Sequence, residues 1–122
     1  MKKITTALLL VMMCLLQLNA AENKVIRIAT DQTDLVFKVG DNGRLYQSYL
    51  GKVLKSEADL KFLPLGTEAY LTHGMEDYFE PAVRVLHNDG NPSLLLKYVS
   101  HSTSNPQPGV TETAIVLKDE VY

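Results

Sequence analysis

Three histidines, His73, His87 and His101, stand 14 residues apart each time. A metal site built from them would have to be gathered by the fold, because the short ligand spacings of zinc-binding segments are absent. His101 falls in a polar stretch and His87 at the end of a β-branched run, so all three read as solvated or hydrogen-bonded imidazoles. Glu76, Asp77 and Glu80 cluster, and paired carboxylates are a common means of general acid–base catalysis. Nothing in the pattern marks one of them as the proton donor, and a solvated acidic loop accounts for them. Ser100, Ser102 and Ser104 lack the strand–turn–helix context that activates a nucleophilic serine. Lys52, Lys55 and Lys61 are too sparse for an anion site and read as a solvated face. Tyr46, Tyr49, Tyr70, Tyr78 and Phe79 offer flat faces of the kind that stack on sugar rings, although packing is their commoner use. Asn91-Pro92-Ser93 is no glycosylation acceptor, because proline occupies its middle position. No catalytic, cofactor-binding or metal-ligating residue is assigned from this pattern, and no substrate-binding residue can be named.

The elements that must position these residues are strands. Thr33-Asp34-Leu35-Val36-Phe37-Lys38-Val39 alternates, which puts Leu35, Phe37 and Val39 on one face and Asp34 and Lys38 on the other. Val25-Ile26-Arg27-Ile28-Ala29 is short and β-branched and reads as a preceding strand. Gly40-Asp41-Asn42-Gly43 supplies turn residues, so 33–39 is expected to fold back on 44–50 as a hairpin. A second hairpin is expected between 82–87 and 94–99, through Asn88-Asp89-Gly90-Asn91. Residues 111–118 give a last strand. The stretch from Lys52 to Met75 reads as a loop or broken strand, and the Pro-containing run 100–109 as a polar surface loop. No window sustains a helical period. The fold class expected is all-β, an antiparallel β-sandwich.

Composition narrows the partners. The 122-residue chain carries 12 basic and 14 acidic residues, which argues against nucleic acid as a ligand. It is also too short for a (β/α)₈ barrel, which needs about 250 residues. Lys2 and Lys3 precede the ten-residue apolar run Ala7–Leu16, followed by Ala20 and Ala21. That order is the pattern of a secretory signal peptide, and ten residues fall short of the about 20 that span a bilayer. Residues 1–20 are therefore expected to be a cleaved signal helix and residues 21–122 the exported domain, periplasmic or extracellular, with no membrane contact after cleavage. Cys14 leaves with the signal, so the domain has neither disulfide nor thiolate chemistry. A strand at 111–118 so near Tyr122 is expected to find its partners in further sequence, which makes the chain the front of a longer one.

Four segments together resemble one family. They are Gly43-Arg44-Leu45-Tyr46-Gln47-Ser48-Tyr49-Leu50-Gly51-Lys52, the run Glu80–Asn91, Leu96-Lys97-Tyr98-Val99-Ser100-His101, and Thr113-Ala114-Ile115-Val116-Leu117-Lys118-Asp119. In order and spacing they resemble the start of glycoside hydrolase family 36, the bacterial α-galactosidases, from about Ile26 to Tyr122. The resemblance implies an N-terminal β-sandwich, part of a larger supersandwich, ahead of a (β/α)₈ barrel and a small C-terminal β domain. It implies removal of terminal α-galactosyl residues with retention, by two aspartates on the barrel and without a cofactor. Neither aspartate is carried onto this chain, so Asp77 and Asp89 take no catalytic role. In tetrameric members a sandwich loop reaches a neighbouring active site with an Asp and an Arg. The corresponding stretch, about Lys52–Gly66, contains no arginine, so neither that contact nor the tetramer is transferred, and Glu57 and Asp59 are given no sugar contact. A homo-oligomer stays open. The alternative is a stand-alone exported sandwich that binds carbohydrate or a partner without catalysis.

Overall fold

Backbone pairing begins where the β-branched runs begin. In the computed structural model, which describes residues 24–74 and 80–122, β1 (Val25–Ala29), β2 (Thr33–Val39) and β3 (Leu45–Lys52) form an antiparallel meander. The expected turn joins β2 to β3: Gly43 adopts φ +77°, its N–H donates to Gly40 O at 2.8 Å, and Arg44 N–H donates to Asn42 Oδ1 at 3.0 Å. Positive φ is a conformation that glycine reaches without a Cβ penalty. A register shift at Val36/Phe37 leaves Ser48 as the extra residue of β3, and its hydroxyl donates to Leu65 O at 2.8 Å. The two-residue β4 (Thr67–Glu68) closes this four-stranded sheet, in the order β1-β2-β3-β4.

Between β3 and β4 lies a helix that the sequence pattern did not announce, α1 (Glu57–Phe62). Six residues are too few to show a 3.6-residue period, but the local signal is complete. Ser56 accepts from Ala58 N–H, and Asp59 returns a bond to the Ser56 N–H, forming a capping box. Leu60 is its buried residue. Of the stretch expected as a loop or broken strand, residues 53–74 hold the short β4 and, beyond that expectation, this helix.

A second antiparallel sheet is a single long hairpin, β5 (Leu96–Gln107) with β6 (Val110–Asp119). Here two expectations are corrected. Residues 100–107 are strand, not loop, because the ladder to 110–116 supplies backbone bonds that a polar Ser/Thr composition does not advertise. Residues 82–87 form no strand beyond a single bridge of Thr72 to Val83, and β5 pairs forward with β6 instead of back with them. The turn at 87–90 does form, with Gly90 at φ +84° and its N–H on His87 O at 2.9 Å.

The sheets touch where Tyr98 N–H donates to Gly43 O at 2.9 Å and the Lys97 stem passes Gly43. The fold is all-β, antiparallel and sandwich-like, with one short helix among the described residues. In β2, Asp34, Val36 and Lys38 are buried, while Leu35, Phe37 and Val39 are half-exposed. On the latter face, Ile26 and Leu45, opposite Phe37 and Val39, are buried. Among the described residues, no helix is long and apolar enough to cross a membrane. The apolar run 7–16, and with it the expected signal helix, lies outside the described residues.

Candidate functional site

Buried charge needs partners, and Asp34 has three hydrogen bonds. It accepts from Arg27 Nε at 3.1 Å, from Arg27 Nη2 at 2.8 Å and from Leu54 N–H at 2.7 Å. A bidentate guanidinium beside a buried carboxylate is the pairing that offsets its desolvation. The arginine bonds hold the Asp34 carboxyl below the usual range, with the Leu54 N–H adding to them. Arg27 in turn reaches Glu57 Oε1 at 2.6 Å and Leu54 O at 3.1 Å, and Lys38 Nζ donates to Leu63 O at 2.6 Å. Together these contacts strap the segment 53–63 over β1 and β2. Sequence alternation separates the two faces of a strand but does not show which partner lies across the chain.

The second polar cluster joins the end of β6 to the turn at 87–93. The ring of His87 stacks on Tyr122, with centroids 3.7 Å apart and planes 13° from parallel. His87 Nε2 lies 3.0 Å from Ser93 O, an acceptor, so this nitrogen carries a proton; Asp119 Oδ2 lies 3.2 Å away. Tyr122 OH donates to Asp89 Oδ2 at 2.6 Å and accepts from Asn91 Nδ2 at 3.2 Å. That phenol bond, followed by the Asn91 N–H, lowers the Asp89 carboxyl, and the same bond raises the Tyr122 phenol. Asp119 Oδ1 accepts from the N–H groups of Leu95 and Val121.

The three histidines do not converge. His87 belongs to this clasp, His101 Nδ1 meets Tyr98 OH at 2.8 Å on the hairpin, and His73 Nδ1 is buried without a hydrogen-bond partner. Among the described residues no three metal-ligating side chains gather. Glu76, Asp77, Tyr78 and Phe79 lie outside the described residues; Glu80, at their border, pairs with Arg84 at 3.1 Å. Lys52, Lys55 and Lys61 are exposed. Of the tyrosines, Tyr46 OH accepts from Asn42 Nδ2, Tyr49 OH donates to Lys52 O, and Tyr70 is exposed. Glu57 is taken by Arg27 and Asp59 by the helix cap, so both serve the strap. A concavity of about 520 Å³ lies at the hairpin tip, lined by residues 105–111. Asn105, Gln107 and Thr111 supply its polar groups, none of which titrates in the physiological range, so it offers no acid–base pair. The arrangement ties loop segments to the strands of the two sheets.

No family model and no curated protein matches the chain. Its fold resembles the crystal structure of the α-galactosidase from Lactobacillus brevis, with a TM-score of 0.63 at 19% sequence identity. The similarity takes in 83% of this chain and 18% of that one, so the chain spans less than a fifth of the length of that protein.

Proposed function

We propose that this chain is the N-terminal accessory β-sandwich of an exported, retaining glycoside hydrolase of the α-galactosidase type, family 36. The observation that carries the reading is the fold shared with an α-galactosidase over 83% of the chain. The four-segment resemblance in sequence supports it independently, and the order of Lys2, Lys3 and the apolar run 7–16 supports export.

In this reading the chemistry belongs to a barrel that follows the sandwich. Retention uses two carboxyls about 5–5.5 Å apart. One attacks the anomeric carbon while the other protonates the departing oxygen, and the second then activates water to release the sugar. The sandwich is read as carrying no catalytic carboxyl, and Asp34, Glu57, Asp59, Glu68, Asp89, Asp119 and Glu120 hold backbone or side-chain partners within it. The domain's contribution is a scaffold, with its own barrel as partner and an α-galactoside as the substrate of the whole.

The test compares residues 21–122 with the product of the complete reading frame on an aryl α-galactoside. The expected result is turnover by the complete product and none by the sandwich alone. Turnover by the isolated sandwich refutes the division of labour; heat of binding to α-galactosides by the sandwich, with no turnover by the complete product, favours a binding module.

A further inference from the structure

Asn42-Gly43 is the one Asn-Gly pair in the sequence. Glycine after asparagine leaves the following amide nitrogen unhindered, because no side chain stands beside it. Asn91 and Asn105 precede prolines, whose nitrogen has no proton to give up, and Asn19, Asn23 and Asn88 precede Ala20, Lys24 and Asp89. In the β2–β3 turn every group through which such a pair reacts is held. The Gly43 N–H donates to Gly40 O at 2.8 Å, Asn42 Oδ1 accepts from Arg44 N–H at 3.0 Å, and Asn42 Nδ2 donates to Tyr46 OH at 2.7 Å. Gly40 N–H donates to Arg44 O at 2.9 Å across the mouth of the turn. The same backbone pattern recurs at 87–91, with Asn91 N–H on Asp89 Oδ1, but Asp89 has no amide to lose. Asn42 is exposed, so water reaches it. Beyond the turn, Gly43 O accepts the Tyr98 N–H at 2.9 Å, where the two sheets touch.

We propose that Asn42 is a site of self-modification gated by this turn. The closed turn preserves the side-chain amide, and opening the turn exposes the chain to loss of the amide and, with it, of the junction between the sheets. Once the Gly43 N–H leaves Gly40 O, its nitrogen gives up that proton and attacks Cγ of Asn42. The N–Cγ bond forms as the Cγ–Nδ2 bond breaks, and Nδ2 takes up the proton and departs as ammonia. A five-membered imide remains, which water opens at either carbonyl. Addition at Cγ gives an aspartate with the ordinary backbone, which still accepts from the Arg44 N–H. Addition at the main-chain carbonyl carbon of Asn42 breaks its bond to Gly43 and leaves an isoaspartyl linkage, longer in the main chain by the Cβ atom. That linkage shifts Gly43 against β2 and β3 and takes its carbonyl away from Tyr98.

Ammonia release and peptide mapping test the gate on the protein as the cell produces it, incubated at mildly alkaline pH both folded and in guanidinium chloride. The expected result is conversion at Asn42 in both, at least about tenfold slower in the folded protein, because the turn must open before attack. Tyr46→Phe keeps the ring and removes the acceptor of Nδ2. It is expected to speed conversion about three- to tenfold in the folded protein and to leave the denatured rate unchanged. After chromatographic separation of the products, the isoaspartyl form is expected to exchange the Tyr98 amide faster, whereas Asn42→Asp keeps its protection. Equal rates in folded and denatured protein overturn the proposal, as does a denatured chain that keeps the Asn42 amide. So does a folded Tyr46→Phe protein that converts no faster than its parent. An isoaspartyl product with full protection at Tyr98 overturns the loss of the junction.

Discussion

Replacing Val36 by alanine asks which face of the central strand is load-carrying in the folded chain. Val36 is fully buried, on the face it shares with Asp34 and Lys38. The substitution removes two buried carbons at about 0.8 kcal/mol each. Partial collapse of the surroundings leaves a cavity, which brings the cost to about 2 kcal/mol. For a domain near 100 residues that lowers Tm by about 8–16 °C. Leu50, opposite Leu35 on the other face, is 62% exposed. Leu50→Ala therefore removes more carbons yet costs about 1 kcal/mol or less, because little of that side chain leaves water on folding. Urea unfolding followed by circular dichroism measures both, with the m-value as a check that the unfolded state has not changed. If Leu50→Ala costs as much as Val36→Ala, or more, the burial assigned to the two faces is wrong. The whole account of the strap over β2 then fails with it.

The strap and the clasp make further predictions. Because the folded state holds the Asp34 carboxyl below its ordinary value of 3.8, its contribution is present above that value and lost as pH falls through the depressed one. Urea midpoints across the acid range should show this loss, and Asp34→Asn should flatten that limb while lowering stability at neutral pH. Tyr122 is raised above 10.0 by its bond to Asp89, so its contribution is full below 10.0 and disappears as pH rises through the raised value. Tyrosinate absorbance should titrate one phenol late, and Tyr122→Phe should remove that late component. Gly66 has φ +85°, and a Cβ there would sit 2.0 Å from Gln47 O, whereas Gly90, at φ +84°, has open space around it. Gly66→Ala should abolish the cooperative unfolding transition, and Gly90→Ala should cost only the about 1–2 kcal/mol of a left-handed residue.

The elements legible in the sequence were those whose signal is local. β1, β2, the turn at Gly40–Gly43 and β6 all follow from β-branched alternation bounded by turn residues. Most of the misses share a cause: they depended on a partner distant along the chain. Ser100–Gln107 is strand because β6 lies beside it, whereas among the described residues 82–87 meets another strand-like segment only at the Thr72–Val83 bridge. Asp34 turns inward because Arg27 and Leu54 meet it there. Ser56 and Asp59 did carry a local capping signal for α1, visible as Ser followed three residues later by a carboxylate; Asp in place of the commoner Glu or Gln makes it easy to pass over. The site was less legible still, since the defining contacts of the polar clusters, such as Arg27 with Glu57 and Tyr122 with Asp89, join residues about 30 positions apart in sequence.

The proposed role rests most directly on the stereochemistry of the complete product. Proton NMR of an aryl α-galactoside digest, recorded before mutarotation equalises the anomers, identifies the sugar released first. Retention predicts α-galactose as the first-formed species, by way of a covalent intermediate on a carboxylate outside residues 1–122. Release of β-galactose first, or no release of galactose at all, contradicts the assignment.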